Sequence, residues 1–485
     1  MSETALLAAG LAFLMPLGYA LIALGGLAED RARQVALSML AALGLATLGY
    51  LAVGFALQFG GVGLVKNQPG YEGLIWEWSA LGTTWGTGWG MLGLTGWGLG
   101  GAAANSAAYG LALANLPWVA TTALIPLASL RGRIPAFATG LLGLLVGAVI
   151  YPLAGNWIWG GGWLANLGLN LSQGHGLVDP GGSGLVHLLG GSLALAGILV
   201  FVPRGPHPRP GEPVPLPPVH LPLLAVLGAG LLLAGQPAWW IANPLLDRRV
   251  IDLTQVALNG FVGAAAGGLL PLCYSWFVAG KPDPLMAARG VAAGSIALAS
   301  AAPFVAPWAA LAIGAAAGLL IPFVLFLVDH VLCFDDPTAA CTVHGLSGAL
   351  GLLAVALFAD GRAGLGWNGV GSATYLGVAH QGVTGLFAAS SFQPDWPAQF
   401  HAQVVGIAAL VLFGFFASWV VLAPPATLLH LATRVPAGPK LPAGAAQGPS
   451  GADALAAVAE EEPAASRADP PADDAGAEPV PAPGA

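Results

Sequence analysis

The sequence predicts an all-α membrane protein of eleven transmembrane helices arranged as a five-plus-five inverted repeat. Three observations predict it: too few charges for a water-soluble domain, recurring apolar runs of spanning length, and one motif duplicated five runs apart. Of 485 residues, 56% are apolar and 8% charged, whereas soluble domains run near a quarter charged. A hydrocarbon core about 30 Å thick needs about 20 apolar residues per helix. Runs of that length recur throughout and exclude a large soluble β-protein.

Taken in order, the spans fall near 5–27, 35–58, 106–130, 135–158, 183–203, 221–241, 253–279, 285–302, 305–329, 338–359 and 399–426. The chain opens Met-Ser-Glu-Thr without a positive n-region, so the first run is expected to be a retained span. Glycine and proline inside the runs suit spanning helices, whose backbones approach closely. Residues 59–105 carry Trp76, Trp78, Trp85, Trp89 and Trp97 among glycines and read as an interfacial loop. Residues 1–435 thus form the transmembrane domain. The Ala/Pro/acidic segment 436–485 is expected to be a disordered cytoplasmic tail. Much of the net charge of −8 resides there and points to no nucleic-acid partner. Cys273, Cys333 and Cys341 show no metal spacing.

Orientation follows from the basic residues. With the N-terminus outside, Arg31, Arg33, Arg131, Arg133, Arg204, Arg209, Lys281, Arg289, Arg434, Lys440 and Arg467 lie on the cytoplasmic side. Lys66, Arg248, Arg249 and Arg362 lie outside. That bias places the C-terminus in the cytoplasm.

The duplicated motif is Asp-Pro followed by Val-His at the same offset: DPGGSGLVHLLGGSLAL from Asp179 and DPTAACTVHGLSGALGL from Asp336. The copies open the fifth and tenth spans, which run in opposite directions because five is odd; this is the mark of an inverted repeat. Eight residues at about 1.5 Å each put His187 and His344 roughly 12 Å in from their aspartates. Entering a core of about 30 Å from opposite faces, the two imidazoles meet near mid-depth. A lone histidine in an apolar helix is commonly a satisfied core residue; two in symmetric copies point to a pathway. Asp336, beside Asp335, reads as a helix cap. Asp179 reads equally as a cap or as electrostatic support for an arriving cation.

With those residues in place, the chain resembles the ammonium transporter (Amt/Mep/Rh) family over residues 5 to 435. The motifs that carry the resemblance are LMPLGYALIALGGL, WIWGGGWLANLG, the Asp-x7-His copies, HLPLLAVLGAGLL, NGFVGAAAG and FDDPTAACTVHGLSGALG. The resemblance implies a homotrimer in the cell membrane with one pore per protomer, His187 and His344 as its pore histidines, and ammonium or ammonia as substrate. Asp179 and Trp159 match the external cation site. A gapless alignment puts Trp239 at the inner gate phenylalanine and Asn243 at the cation-site serine. Trp118 is the aromatic candidate for the outer gate. No cofactor or enzymatic activity is implied. A PII-type regulator belongs to the family's partners, yet the Gly-, His- and Glu-rich tail motif is missing after Arg434-Val435. Ammonium is then expected to lose its proton on entering an apolar constriction, where charge is costly, and the histidines to relay it. The rival readings are an ammonium sensor that binds but conducts poorly, and a pore for another small neutral molecule. Two histidines without a carboxylate at ligand distance make a poor zinc site.

Overall fold

The computed structural model describes residues 3–86, 88–130, 136–201 and 220–433. The expected tail, 436–485, lies outside the described residues, as do Arg131, Arg133, Arg204, Arg209, Arg434, Lys440 and Arg467. The chain divides after His430 into two units, and the membrane-crossing helices belong to the first.

Among the described residues, ten helices are long and apolar enough to cross a membrane. They are α1 (Glu3–Gly25), α2 (Glu29–Leu64), α3 (Ser106–Leu130), α4 (Ala136–Gly160), α6 (His220–Ile241), α7 (Leu253–Ala279), α8 (Pro284–Ala301), α9 (Pro307–Val331), α10 (Ala340–Phe358) and α11 (Ala398–Pro425). The expected fifth span is the shorter apolar helix α5, Ser183–Leu199. The chain is therefore a mostly helical, multi-pass membrane protein.

Local chemistry sets several helix ends. Asp252 and Asp283 accept from the amides of Thr254 and Leu285, two residues on, capping α7 and α8. Pro284 and Pro307 occupy first turns, where no amide is needed. Glycines fuse α7, α8 and α9. A Cβ on Gly290 or Gly294 of α8 would clash with the carbonyls of Gly267 and Gly263. One on Gly314 or Gly318 of α9 would clash with those same two carbonyls. Lipid gives helices no hydrophobic drive to associate, so this backbone-to-backbone contact supplies the dispersion energy that holds them.

The loops sort into two ends. At one end, Asn105 donates to the Gly70 carbonyl, and Lys66, Asp247 and Trp367 line one cavity. At the other, Arg31 lies 3.9 Å from Asp335, and Arg289 donates to the Pro337 carbonyl at 2.7 Å. Helix α3 runs from the first end to the second, because Ser129, near its close, donates to Asp336. The expected interfacial loop starts later than residue 59, since α2 continues to Leu64. It also holds a two-stranded antiparallel ribbon, Glu77–Ser79 with Gly90–Gly93, that the glycine-rich sequence does not signal. Trp76, Trp78, Trp85 and Trp97 are exposed there, as interfacial indoles are.

Candidate functional site

The two copies of the motif begin alike and from opposite ends. Each follows a left-handed residue, Gly182 (φ 79°) or Ala339 (φ 56°), and each opens with a π-helical turn, Ser183–Leu188 or Ala340–Leu346. His187 and His344 stand on these turns. A π turn is rare, but the described chain also has π turns at Tyr50–Gly54, Val146–Ile150, Asn156–Gly160 and Leu327–Val331.

The imidazoles meet. His187 Nδ1 lies 3.0 Å from His344 Nδ1, and the rings stack at 5.2 Å and 14°. One proton therefore sits between the two nitrogens, since one must donate and the other accept. Close helix crossing allows this: a Cβ on Gly191 would lie 2.6 Å from the Gly345 Cα. His187 is 1% exposed and His344 8%.

Both aspartates accept hydrogen bonds from amides at the start of their helices. Asp336 accepts from the amides of Ala340 (3.0 Å) and Cys341 (2.8 Å). Asp179 accepts from Gly184 (3.1 Å) and Leu185 (2.7 Å), and from the Ser300 hydroxyl. The Asp179 carboxylate is thus turned into the protein, 1% exposed. Its backbone does a second job. The Asp179 carbonyl accepts the Trp159 indole N–H at 2.9 Å, and the Gly181 carbonyl accepts that of Trp239 at 3.0 Å.

Those indoles form a wall. Trp239 stacks on Trp118 at 5.1 Å and 15°, and Trp118 meets Trp159 edge-on at 3.9 Å. Trp118 and Trp239 are each 1% exposed, and the Trp118 indole N–H has no partner. Toward the end of the molecule that holds the Asn105–Gly70 contact, Trp159 borders a cavity of about 410 Å³, also lined by Asn243, Lys66, Asn166, Asp247 and Trp367. Asn243 reaches this cavity with one acceptor engaged, because its Oδ1 takes the Leu245 amide at 3.0 Å. Burial pushes the Lys66 amine down from its ordinary range, while Asp247 pulls it back up. A small cavity of about 10 Å³, roughly one water, is lined by Tyr19, Met39, Ile125, Thr338, Ala340 and His344.

The structure therefore brings His187 with His344, and Trp118 with Trp159 and Trp239, and sets Asn243 on the larger cavity. Sequence reasoning missed Tyr19. Its ring lies edge-on at 5.0 Å to each imidazole, and its hydroxyl is 3.5 Å from His187 Nε2. The available signal was Gly18, immediately before it. Gly18 and Gly228 pack backbone to backbone, a Cβ on Gly18 meeting the Gly228 carbonyl at 2.7 Å, and this fixes the rotation of α1. Lys66, Asp247 and Trp367 were likewise not read as neighbours, being loop residues far apart in the chain.

Residues 3–434 match the family model described as the Ammonium Transporter Family. The chain is 33% identical over 368 residues to ammonium transporter Amt2 of Archaeoglobus fulgidus, covering 74% of this chain and 72% of that one. Among solved structures it is similar to a sensor Amt protein, with TM-score 0.68 and 23% identity over 89% of this chain and 93% of that one. It is also similar to Mep2 of Candida albicans, with TM-score 0.66 and 21% identity, covering 89% and 85%. These two structural likenesses speak for the fold.

Proposed function

The chain belongs to the ammonium transporter family, and from that premise we propose that it moves ammonium across the membrane as neutral ammonia, past the His187–His344 pair. The observation that carries this is the 3.0 Å contact between two buried imidazoles on helices entering from opposite ends. Ammonium gathers in the outer cavity, where the Trp159 face attracts cations and Asn243 offers a polar group. Charge is costly among the buried indoles beyond it. The cation therefore loses its proton there, and the neutral base goes on. Two histidines in contact can pass the proton, because their facing ring nitrogens already share one across 3.0 Å. Asp179 contributes by holding the loop that presents carbonyls to Trp159 and Trp239.

In this proposal the protein is a homotrimer in the cell membrane, N-terminus outside and C-terminus cytoplasmic. The described basic residues split evenly, Arg31, Arg33, Lys281 and Arg289 against Lys66, Arg248, Arg249 and Arg362, so orientation rests on those outside the described residues. Segment 436–485 is the cytoplasmic tail, and a PII-type regulator, if it binds, uses a surface other than the missing tail motif.

A second reading, a sensor that binds but conducts poorly, is favoured by the closed stack of Trp118 on Trp239. Methylammonium uptake in a transport-deficient cell tests the first reading: uptake lost in His187→Ala supports it. No uptake by the wild type, with ammonium still bound, establishes the sensor.

A further inference from the structure

We propose that Tyr19 sets the polarity of the histidine pair, holding it in the tautomer whose free ring nitrogen, on His344, is a hydrogen-bond donor. This deepens the transport reading and rests on it for its consequence, though not for its test. Tyr19 is 4% exposed on an apolar helix. Among the described residues, His187 Nε2 at 3.5 Å is the one hydrogen-bond partner of its hydroxyl. A buried O–H needs an acceptor, and leaving it without one is costly. If His187 Nε2 bore a proton, the phenol proton would face no acceptor among the described protein groups. The hydroxyl therefore donates, and His187 Nε2 is bare.

Counting protons fixes the remaining nitrogens. A neutral imidazole carries one N–H, so the proton of His187 is on Nδ1, pointing at His344 Nδ1 3.0 Å away. His344 Nδ1 is then the acceptor, and its own proton is on Nε2. The chain of bonds runs one way: Tyr19 hydroxyl to His187, His187 to His344, with His344 Nε2 left as an N–H bonded to no described protein group. His344 is the more exposed imidazole and lines the small cavity beside Tyr19. The His344 N–H can bind the lone pair of ammonia. It offers nothing to ammonium, which has only donors. Tyr19 is thus a positioning residue: acting through His187, it selects the neutral base over the cation. The close Gly18–Gly228 crossing keeps it in place.

The test is nitrogen NMR of the full chain, with 15N-labelled histidine, in lipid bilayers, since the shifts separate protonated from bare ring nitrogens. The wild type is expected to show His187 bare at Nε2 and protonated at Nδ1 in a single tautomer. Tyr19→Phe keeps both ring contacts and removes only the hydroxyl, and is expected to give a mixture of tautomers. A wild type already mixed, or protonated at His187 Nε2, overturns the proposal, as does a Tyr19→Phe spectrum unchanged from wild type. Methylammonium uptake measured on the same samples separates the two readings. Absent uptake with the tautomer shift present leaves the Tyr19 assignment standing and removes the transport reading.

Discussion

Trp239→Phe should raise ammonium-evoked current about fivefold, the factor that about 1 kcal/mol of lost closure allows. In the closed arrangement the Trp239 indole donates to the Gly181 carbonyl at 3.0 Å and stacks on Trp118 at 5.1 Å. The hydrogen bond contributes about 1 kcal/mol net and the aromatic contact about 1 kcal/mol more. Swinging the indole aside therefore costs about 2 kcal/mol, a factor of roughly 30 in the open population. Buried Ala238 and Ala242 flank the residue on its own chain segment. Phenylalanine keeps an aromatic face but loses the bond, so about 1 kcal/mol of closure, or roughly fivefold, is removed. Trp239→Leu forfeits the stack as well and should approach the full factor of roughly 30. The assay is current in reconstituted membranes at matched protein, with thermal unfolding recorded because a smaller side chain also leaves a cavity. Currents equal to wild type in both variants, with stability preserved, would refute the gate assignment. A silent wild type rescued by phenylalanine would instead establish the sensor reading.

The same geometry sets three further outcomes. Asp179→Ala and Asp336→Ala should each destabilise the fold by about 2–4 kcal/mol, since each strands two helix-start amides. At matched folded protein Asp179→Ala should lose more uptake, because its loop also holds Trp159 and Trp239; equal residual uptake counts against this. His175, buried in the loop before α5 with neither ring nitrogen hydrogen-bonded, has its pKa lowered to about 4 by burial. The unfolded chain takes up that proton near 6.5 and the folded chain only near 4. Stability is thus full above about pH 6.5 and falls by about 3 kcal/mol on acidification to about pH 4. Thermal unfolding against pH should show that slope, and an identical slope in His175→Asn would exclude His175 as its source. Lys66 is a cation on the cavity where ammonium is proposed to gather, so Lys66→Gln should lower the apparent KM by about two- to fivefold at low salt, an effect fading as salt screens the charge. No change at low salt would show that Lys66 is paired out by Asp247.

The apolar runs and the duplicated Asp-Pro…Val-His carried the fold class, the antiparallel sense of the two motif helices and the meeting of His187 with His344. These are one-dimensional properties: hydropathy sets which segments cross, the parity of crossings sets direction, and residue rise sets depth. Cap chemistry was legible too, as Asp336 ahead of a proline shows, and Asp179 likewise accepts from the Gly184 and Leu185 amides and the Ser300 hydroxyl. What the sequence could not convey is how each helix is rotated about its own axis. Tyr19 and His187 are 168 residues apart, and Trp239 and Gly181 are 58 apart. Whether they touch depends on crossings such as Gly18 on Gly228 and Gly191 on Gly345. Without a hydrophobic force between helices in lipid, rotation is chosen by backbone fit at such small residues. Tyr19 beside the histidines, the three-indole wall and the cavity shared by Lys66, Asp247 and Trp367 were therefore decided only when the helices packed.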